Sequence, residues 1–174
     1  MPKLGSMNPQ SESAQTPPPV NGASINYWED IALGQPKESA QTFLLTAHAI
    51  KAFALVWDPF GPHIDEAVAA RSPIGELFAA GVHLLSILIR LSHTVPHEES
   101  ASIAARGWDQ VRFHRPAVAG DILRTRVTQL ERRDDRRPER GLMVARFELL
   151  NQRDEVVVSL LNNVVMLRRP VANG

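Results

Sequence analysis

Four long runs dominate the second half of the chain: "SIAARGWDQVRFHRP" (102–116), "DILRTRVTQLERR" (121–133), "GLMVARFELLN" (141–151) and "EVVVSLLNNVVMLRR" (155–169). Most are rich in Val and Leu, often in alternation, the pattern of strands that bury one face. Asn151-Gln152-Arg153-Asp154 supplies a turn between the last two, and "RRDDRRPER" (132–140) links the preceding pair, so neighbouring strands are expected to run antiparallel. Ahead of them stands a helical stretch from around Phe78 or Gly81 to Leu91 that is apolar nearly all round. A helix of that kind belongs inside a sheet rather than on a surface. Helices followed by strands predict a single α+β fold, a long central helix wrapped by a curved antiparallel sheet.

The remaining sequence narrows the class. With 174 residues, 44% hydrophobic and 22% charged, one domain with one core is expected over residues 24–170. Residues 1–23 are mostly Ser, Gln, Pro, Gly and Asn, including Thr16-Pro17-Pro18-Pro19, and cannot offset their ordering entropy by burial. They read as a disordered arm, with Gly5-Ser6-Met7 either a tag remnant or part of a natural tail. Nineteen basic residues balance nineteen acidic ones, so no net field draws the chain to nucleic acid or an anionic membrane. The absence of cysteine excludes disulfides, thiol nucleophiles and Cys-bound zinc. No basic-then-apolar signal pattern opens the chain, and a cytoplasmic location is expected. The most apolar run, "VHLLSILIRL" (82–91), contains His83 and Arg90 and falls short of the roughly 20 residues a membrane span needs.

Between the arm and the central helix, residues 24–36 read as a loop and Ser39 to Leu45 as a first strand. Thr46 is placed to cap a helix over Ala47–Trp57, with Ile50, Phe53, Ala54 and Trp57 at helical spacing. The stretch "VWDPFGPHIDE" (56–66) then breaks the helical pattern with two prolines and a glycine. A second short helix is expected over Ile64 to Ala70, with Asp65 and Glu66 in its first turn and Arg71-Ser72-Pro73 as its end.

The run from Asp58 through His63, Ile64, Asp65 and Glu66 to "SPIGELFAAG", ending on Gly81, resembles the hydratase motif of the MaoC-like dehydratases, the (R)-specific enoyl-CoA hydratase family. That motif is an Asp, four residues, a His, an acidic helix start and later a Gly opening the long helix. "VRFHRPAVAGDILRTRV" (111–127) is similar to the family's strand-turn-strand segment. Where the family often has Asn-Pro or Gln-Pro in the corner, this chain has Phe60-Gly61. The resemblance implies a hotdog fold, a homodimer, and an acyl thioester of CoA or of a carrier protein as substrate. No cofactor and no metal are expected.

Hydration of an enoyl thioester needs a group that takes a proton from water, a proton for C2, and a donor for the negative charge on the thioester oxygen. Asp58 and His63, held by the Pro/Gly corner toward one water, fit the first two needs, and the imidazole titrates closest to neutrality. The backbone N–H of Gly81, at the start of the buried helix, fits the third. Read singly, the three are a turn former, a residue near a helix start and a packing contact. Two other functions stay open: a hotdog thioesterase, for which Glu76 is the nearest acidic group, and a non-catalytic acyl-binding or partner subunit of a heteromeric dehydratase.

His93 and His97 have metal-like spacing beside Glu98 and Glu99, but Pro96 between them defeats a single helical face. His48 and His83 are expected to line core or pocket, and His114 to point outward from a strand. Arg132, Arg133, Arg136, Arg137 and Arg140 could meet CoA phosphates, although the interleaved Asp134, Asp135 and Glu139 favour a solvated hairpin tip.

Overall fold

The computed structural model describes residues 25–170, so the expected arm over 1–23 lies outside it. The chain forms β1 (Pro36–Glu38), β2 (Phe43–Leu44), α1 (Ala47–Trp57), α2 (Gly61–Ile64), α3 (Glu66–Ala70), α4 (Gly81–Ser92), β3 (Ser102–Phe113), β4 (Ile122–Asp134), β5 (Arg140–Leu150) and β6 (Val156–Leu167). The six strands make one antiparallel sheet in the order β1-β4-β5-β6-β3, with β2 also paired to β4. Consecutive strands are therefore neighbours only within β4-β5-β6. The first long strand, β3, crosses to the opposite edge and pairs with the last, β6.

Helix α4 lies on the inner face of this sheet. Leu84, Ile87, Leu88 and Leu91 are buried against Leu123 of β4, Ala145, Phe147 and Leu149 of β5, and Val158 and Leu160 of β6. Burying each such side chain is worth about 1.5–3 kcal/mol relative to exposure. Thr125 of β4 adds a buried hydrogen bond from its hydroxyl to the Leu88 carbonyl, 3.1 Å. The wrapping is incomplete: Val82, Ser86 and Arg90, one turn apart on the far side of α4, are exposed. An apolar composition all round does not tell a helix buried on one face from one enclosed on every side.

Two local expectations also need correction. Of the first strand expected over 39–45 only β2 is strand, and β1 precedes that span, because the Ser39 hydroxyl turns back to the Gln41 carbonyl and the Ala40 N–H bonds the Thr94 carbonyl instead of continuing the ladder. The helix expected over 64–70 is divided at Asp65, whose Oδ1 accepts from the N–H groups of Ala67 (2.7 Å) and Val68 (3.0 Å) and so caps α3. Thr46 caps α1 as read, its hydroxyl accepting from Ala49 N–H at 3.0 Å. Ile50 and Ala54 face the core, whereas Trp57 is 71% exposed.

Candidate active site

The corner between α1 and α2 follows from its sequence. Asp58 closes α1, its N–H bonded to the Ala54 carbonyl at 2.9 Å, and Pro59 can offer no further donor. Phe60 leads into α2, where Pro62 occupies the first turn and costs no hydrogen bond. Glycine at 61 keeps this packing close, since a Cβ there would sit 3.1 Å from Val68 Cγ1 and that side chain would have to give by a few tenths of an ångström. An ion pair between Lys51 and Glu66 ties α1 to α3 across the same corner.

His63 ends up buried, its side chain 8% exposed, while that of Asp58 is 43% exposed. The imidazole lies between Phe60 and Phe78, meeting both rings edge to face at centroid distances of 5.4 and 4.6 Å. Its Nδ1 is 2.9 Å from the Phe78 carbonyl oxygen. A carbonyl only accepts, so Nδ1 carries the hydrogen and donates it. Nε2 is thereby left to exchange protons, and it faces Asp58 Oδ2 at 4.0 Å. That gap is too long for a direct hydrogen bond and suits one bridging water.

Gly81 is the first residue of α4, and its N-cap, Ala80, has no side-chain acceptor. The N–H groups of Gly81 and Val82 have no protein acceptor among the described residues. They point out of the positive end of a twelve-residue helix. Gly81 follows Phe78 by three residues, which keeps its Cα within about 11 Å of the residue that holds His63. The structure thus sets Asp58 and His63 face to face across 4.0 Å, and Gly81 stands near them only through its closeness in the chain to Phe78.

Sequence reasoning missed Phe78 and what holds it. Phe78 pairs with Val118 in an isolated bridge, and Ala79 N–H bonds the Ala117 carbonyl at 2.9 Å. Val118 is fixed in turn by Asp121, whose Oδ2 accepts its N–H at 2.9 Å and whose Oδ1 accepts from Gln152 at 3.1 Å. Gly120 supplies the left-handed backbone this turn requires, φ 99°. The signal was the "PAVAGD" of 116–121, which reads as a turn without revealing that it props up a histidine elsewhere.

The other candidates fall away from this centre. Glu76 is exposed in a turn. His48 is exposed on α1, contrary to expectation, while His83 is 6% exposed and stacks on Phe53 at 4.3 Å. Burial pushes the His83 imidazole below its ordinary pKa. His93 is the C-cap of α4, and His97 Nδ1 lies 2.8 Å from the Val95 carbonyl. A cleft of about 440 Å³, lined by Arg112, His114 and Arg146, opens on the outer face of the sheet, away from His63.

Residues 30–149 match the family described as the MaoC like domain. The chain belongs to this family. The MaoC-like dehydratase from Rhodospirillum rubrum is 35% identical, with a TM-score of 0.76 over 84% of this chain and 99% of that one. An (R)-hydratase from Pseudomonas aeruginosa in its unliganded form is 24% identical, TM-score 0.62, covering 85% of this chain and 96% of its own. A Mycobacterium tuberculosis protein with a double hotdog fold is 21% identical, TM-score 0.67, over 86% of this chain and 46% of that one. No curated protein matches in sequence. The sheet and central helix of this MaoC-like chain are a hotdog fold, in a family of hydratases and dehydratases. Among the described residues, no helix is long and apolar enough to cross a membrane.

Proposed function

We propose that this MaoC-like protein interconverts trans-2-enoyl thioesters and (R)-3-hydroxyacyl thioesters, with Asp58 and His63 sharing the acid-base work and the Gly81 N–H serving the thioester oxygen. One observation carries this reading: His63 Nε2 and Asp58 Oδ2 face each other across 4.0 Å, while Nδ1 is committed to Phe78. A water held between them gives a proton to the pair as its oxygen bonds C3. The C2=C3 electrons move toward the thioester, whose oxygen takes up the charge against the Gly81 N–H, and the pair returns a proton to C2 as the carbonyl re-forms. Atoms balance as the addition of one water, and the reverse path is dehydration. No step calls on a cofactor.

A second copy of the chain completes the assembly in this reading. β3 is an edge strand with exposed Ile103, Trp108 and Phe113, and pairing it across a two-fold axis satisfies its free backbone groups. We place the protein in the cytoplasm, which suits a chain with no cysteine.

The test is hydration of trans-2-enoyl-CoAs of short, medium and long chain, followed by loss of the enoyl thioester absorbance, with chiral analysis of the product. An (R)-3-hydroxyacyl product supports the proposal. Release of free thiol instead would turn the reading to a thioesterase, and saturable binding without turnover to a partner subunit.

A further inference from the structure

The zero net charge hides a segregation. Residues 25–100 hold nine acidic and four basic residues, whereas residues 101–170 hold fourteen arginines against nine acidic residues. Where β4 turns into β5, residues 131–140 set five arginines among four acidic residues, and the imbalance is local to one cleft. There Arg106, Asp135, Arg136, Arg137 and Arg140 line a cleft of about 470 Å³.

This end of the sheet is organised around one carboxylate. The Asp135 side chain is 3% exposed, although it sits on a hairpin tip. It accepts from Arg140 at 3.0 Å and from the Arg137 N–H at 3.1 Å, and it pairs with Arg106, which arrives from β3. One acid thus fixes two guanidinium groups from different strands and leaves them undercompensated. Arg136 and Arg137 have no carboxylate partner for their side chains among the described residues. Arg140 Nε is a buried donor with no partner among the described residues. Buried donors without partners are rare in folded proteins and call for an explanation. A surface hairpin kept merely soluble needs neither a buried acid nor an orphaned guanidinium nitrogen.

We propose that this cleft binds a phosphate or diphosphate group carried by a small molecule. Guanidinium forks match phosphate oxygens two at a time, and the set already held by Asp135 loses little freedom on binding. Arg136 and Arg137 close over the anion from the hairpin, beside the guanidinium groups of Arg106 and Arg140. Arg106 and Phe113 are seven residues apart on β3, so the cleft lies about 20 Å along the strand from the Gly81 end of the sheet. Its occupancy does not depend on the thioester chemistry.

The experiment is calorimetric titration of the full chain with inorganic pyrophosphate, beside the Arg136→Ala/Arg137→Ala double variant and Arg140→Lys. Both hairpin arginines are exposed, so the double variant should melt with the wild type. Saturable binding is expected, weakened about tenfold or more in the double variant and also in Arg140→Lys, which keeps the charge but loses the fork. Absence of saturable binding at millimolar pyrophosphate, or equal binding by the folded double variant, would overturn the proposal. Titration with CoA and with 3′-dephospho-CoA identifies the source. A preference for CoA that disappears in the double variant assigns the cleft to the CoA 3′-phosphate, equal binding of the two that is lost in the double variant assigns it to the CoA diphosphate, and binding of pyrophosphate but of neither CoA form assigns it to a separate phosphoryl ligand. None of these readings needs turnover, so an enzyme inactive on enoyl-CoA leaves the test intact.

Discussion

A Cβ placed on Gly81 would lie 2.8 Å from Cζ of Phe113, the last residue of β3. The helix start and the edge strand therefore meet with no room between them. The atoms that would clash are the far end of a ring that is 54% exposed and free to swing outward.

Gly81→Ala consequently tests catalysis against packing. The protein should fold with a small change in melting temperature, because the Phe113 ring can yield. In the proposed mechanism kcat should fall about tenfold or more, since the new methyl and the displaced Phe113 ring crowd the oxyanion away from the distance of about 2.7–3.1 Å it needs from the N–H. Adding Phe113→Ala should restore room and part of the rate. A drop in melting temperature with kcat unchanged would make Gly81 a packing residue.

Asp58→Asn and His63→Ala should each lower kcat about 10²–10⁴-fold with the fold intact by circular dichroism. The double variant should be little worse than the poorer single one, as groups working on one water are not additive. Near-wild-type hydration by either single variant would remove the pair from the mechanism.

His83 ties stability to pH with a definite sign. Its pKa is lowered in the folded state by burial, so acidification below the unfolded value near 6.5 protonates the unfolded chain first. Stability from this residue is full above that pH and is lost as pH falls toward the folded pKa. His83→Phe should stack on Phe53 and give a flatter profile of melting temperature between pH 7 and 5. An unchanged slope would exclude His83 as the source.

Gly141 predicts a purely structural lesion. A Cβ there would come within 2.4 Å of the Trp28 indole, which bonds the Leu142 carbonyl at 3.1 Å and carries Arg168 over its ring at 4.2 Å. Gly141→Ala should cost about 1–3 kcal/mol in a denaturant melt, the usual range for overpacking. A melt matching the wild type would mean that the Trp28 loop shifts freely.

For the proposed dimer, light scattering should give twice the chain mass. Trp108→Lys on the exposed edge should shift the protein toward monomer, and a wild-type monomer with full activity would contradict the assembly.

The legible parts of the fold were those written in local chemistry. Thr46, the Asp58-Pro59 step and the period-two strands each act within a few residues, so α1 and the ends of β4, β5 and β6 lie close to where the sequence put them. The pairing of β3 with β6 was not legible, because alternation shows that a strand buries a face without naming its neighbour. The same holds at the candidate site. Asp58, His63 and Gly81 stand out by residue type and spacing, while Phe78 acts through a backbone carbonyl that any residue at that position would carry. Trp57 keeps the helical spacing of Ile50 and Ala54, yet at the last turn of α1 it has passed beyond the core.

The β3–β6 ladder also sets the order in which the chain can be secured. β3 ends at Phe113, but its one sheet neighbour among the described residues begins at Val156. During synthesis it must wait for more than forty residues to follow, while β4 and β5 can already close their local hairpin. Joining segments so far apart carries a loop-closure cost that the locally bonded helices α1 to α4 do not face, and such distant pairings slow folding. A chain stopped short of β6 would hold a bare, aromatic-bearing strand in search of any edge, which makes the last dozen residues of the sheet its safeguard against aggregation.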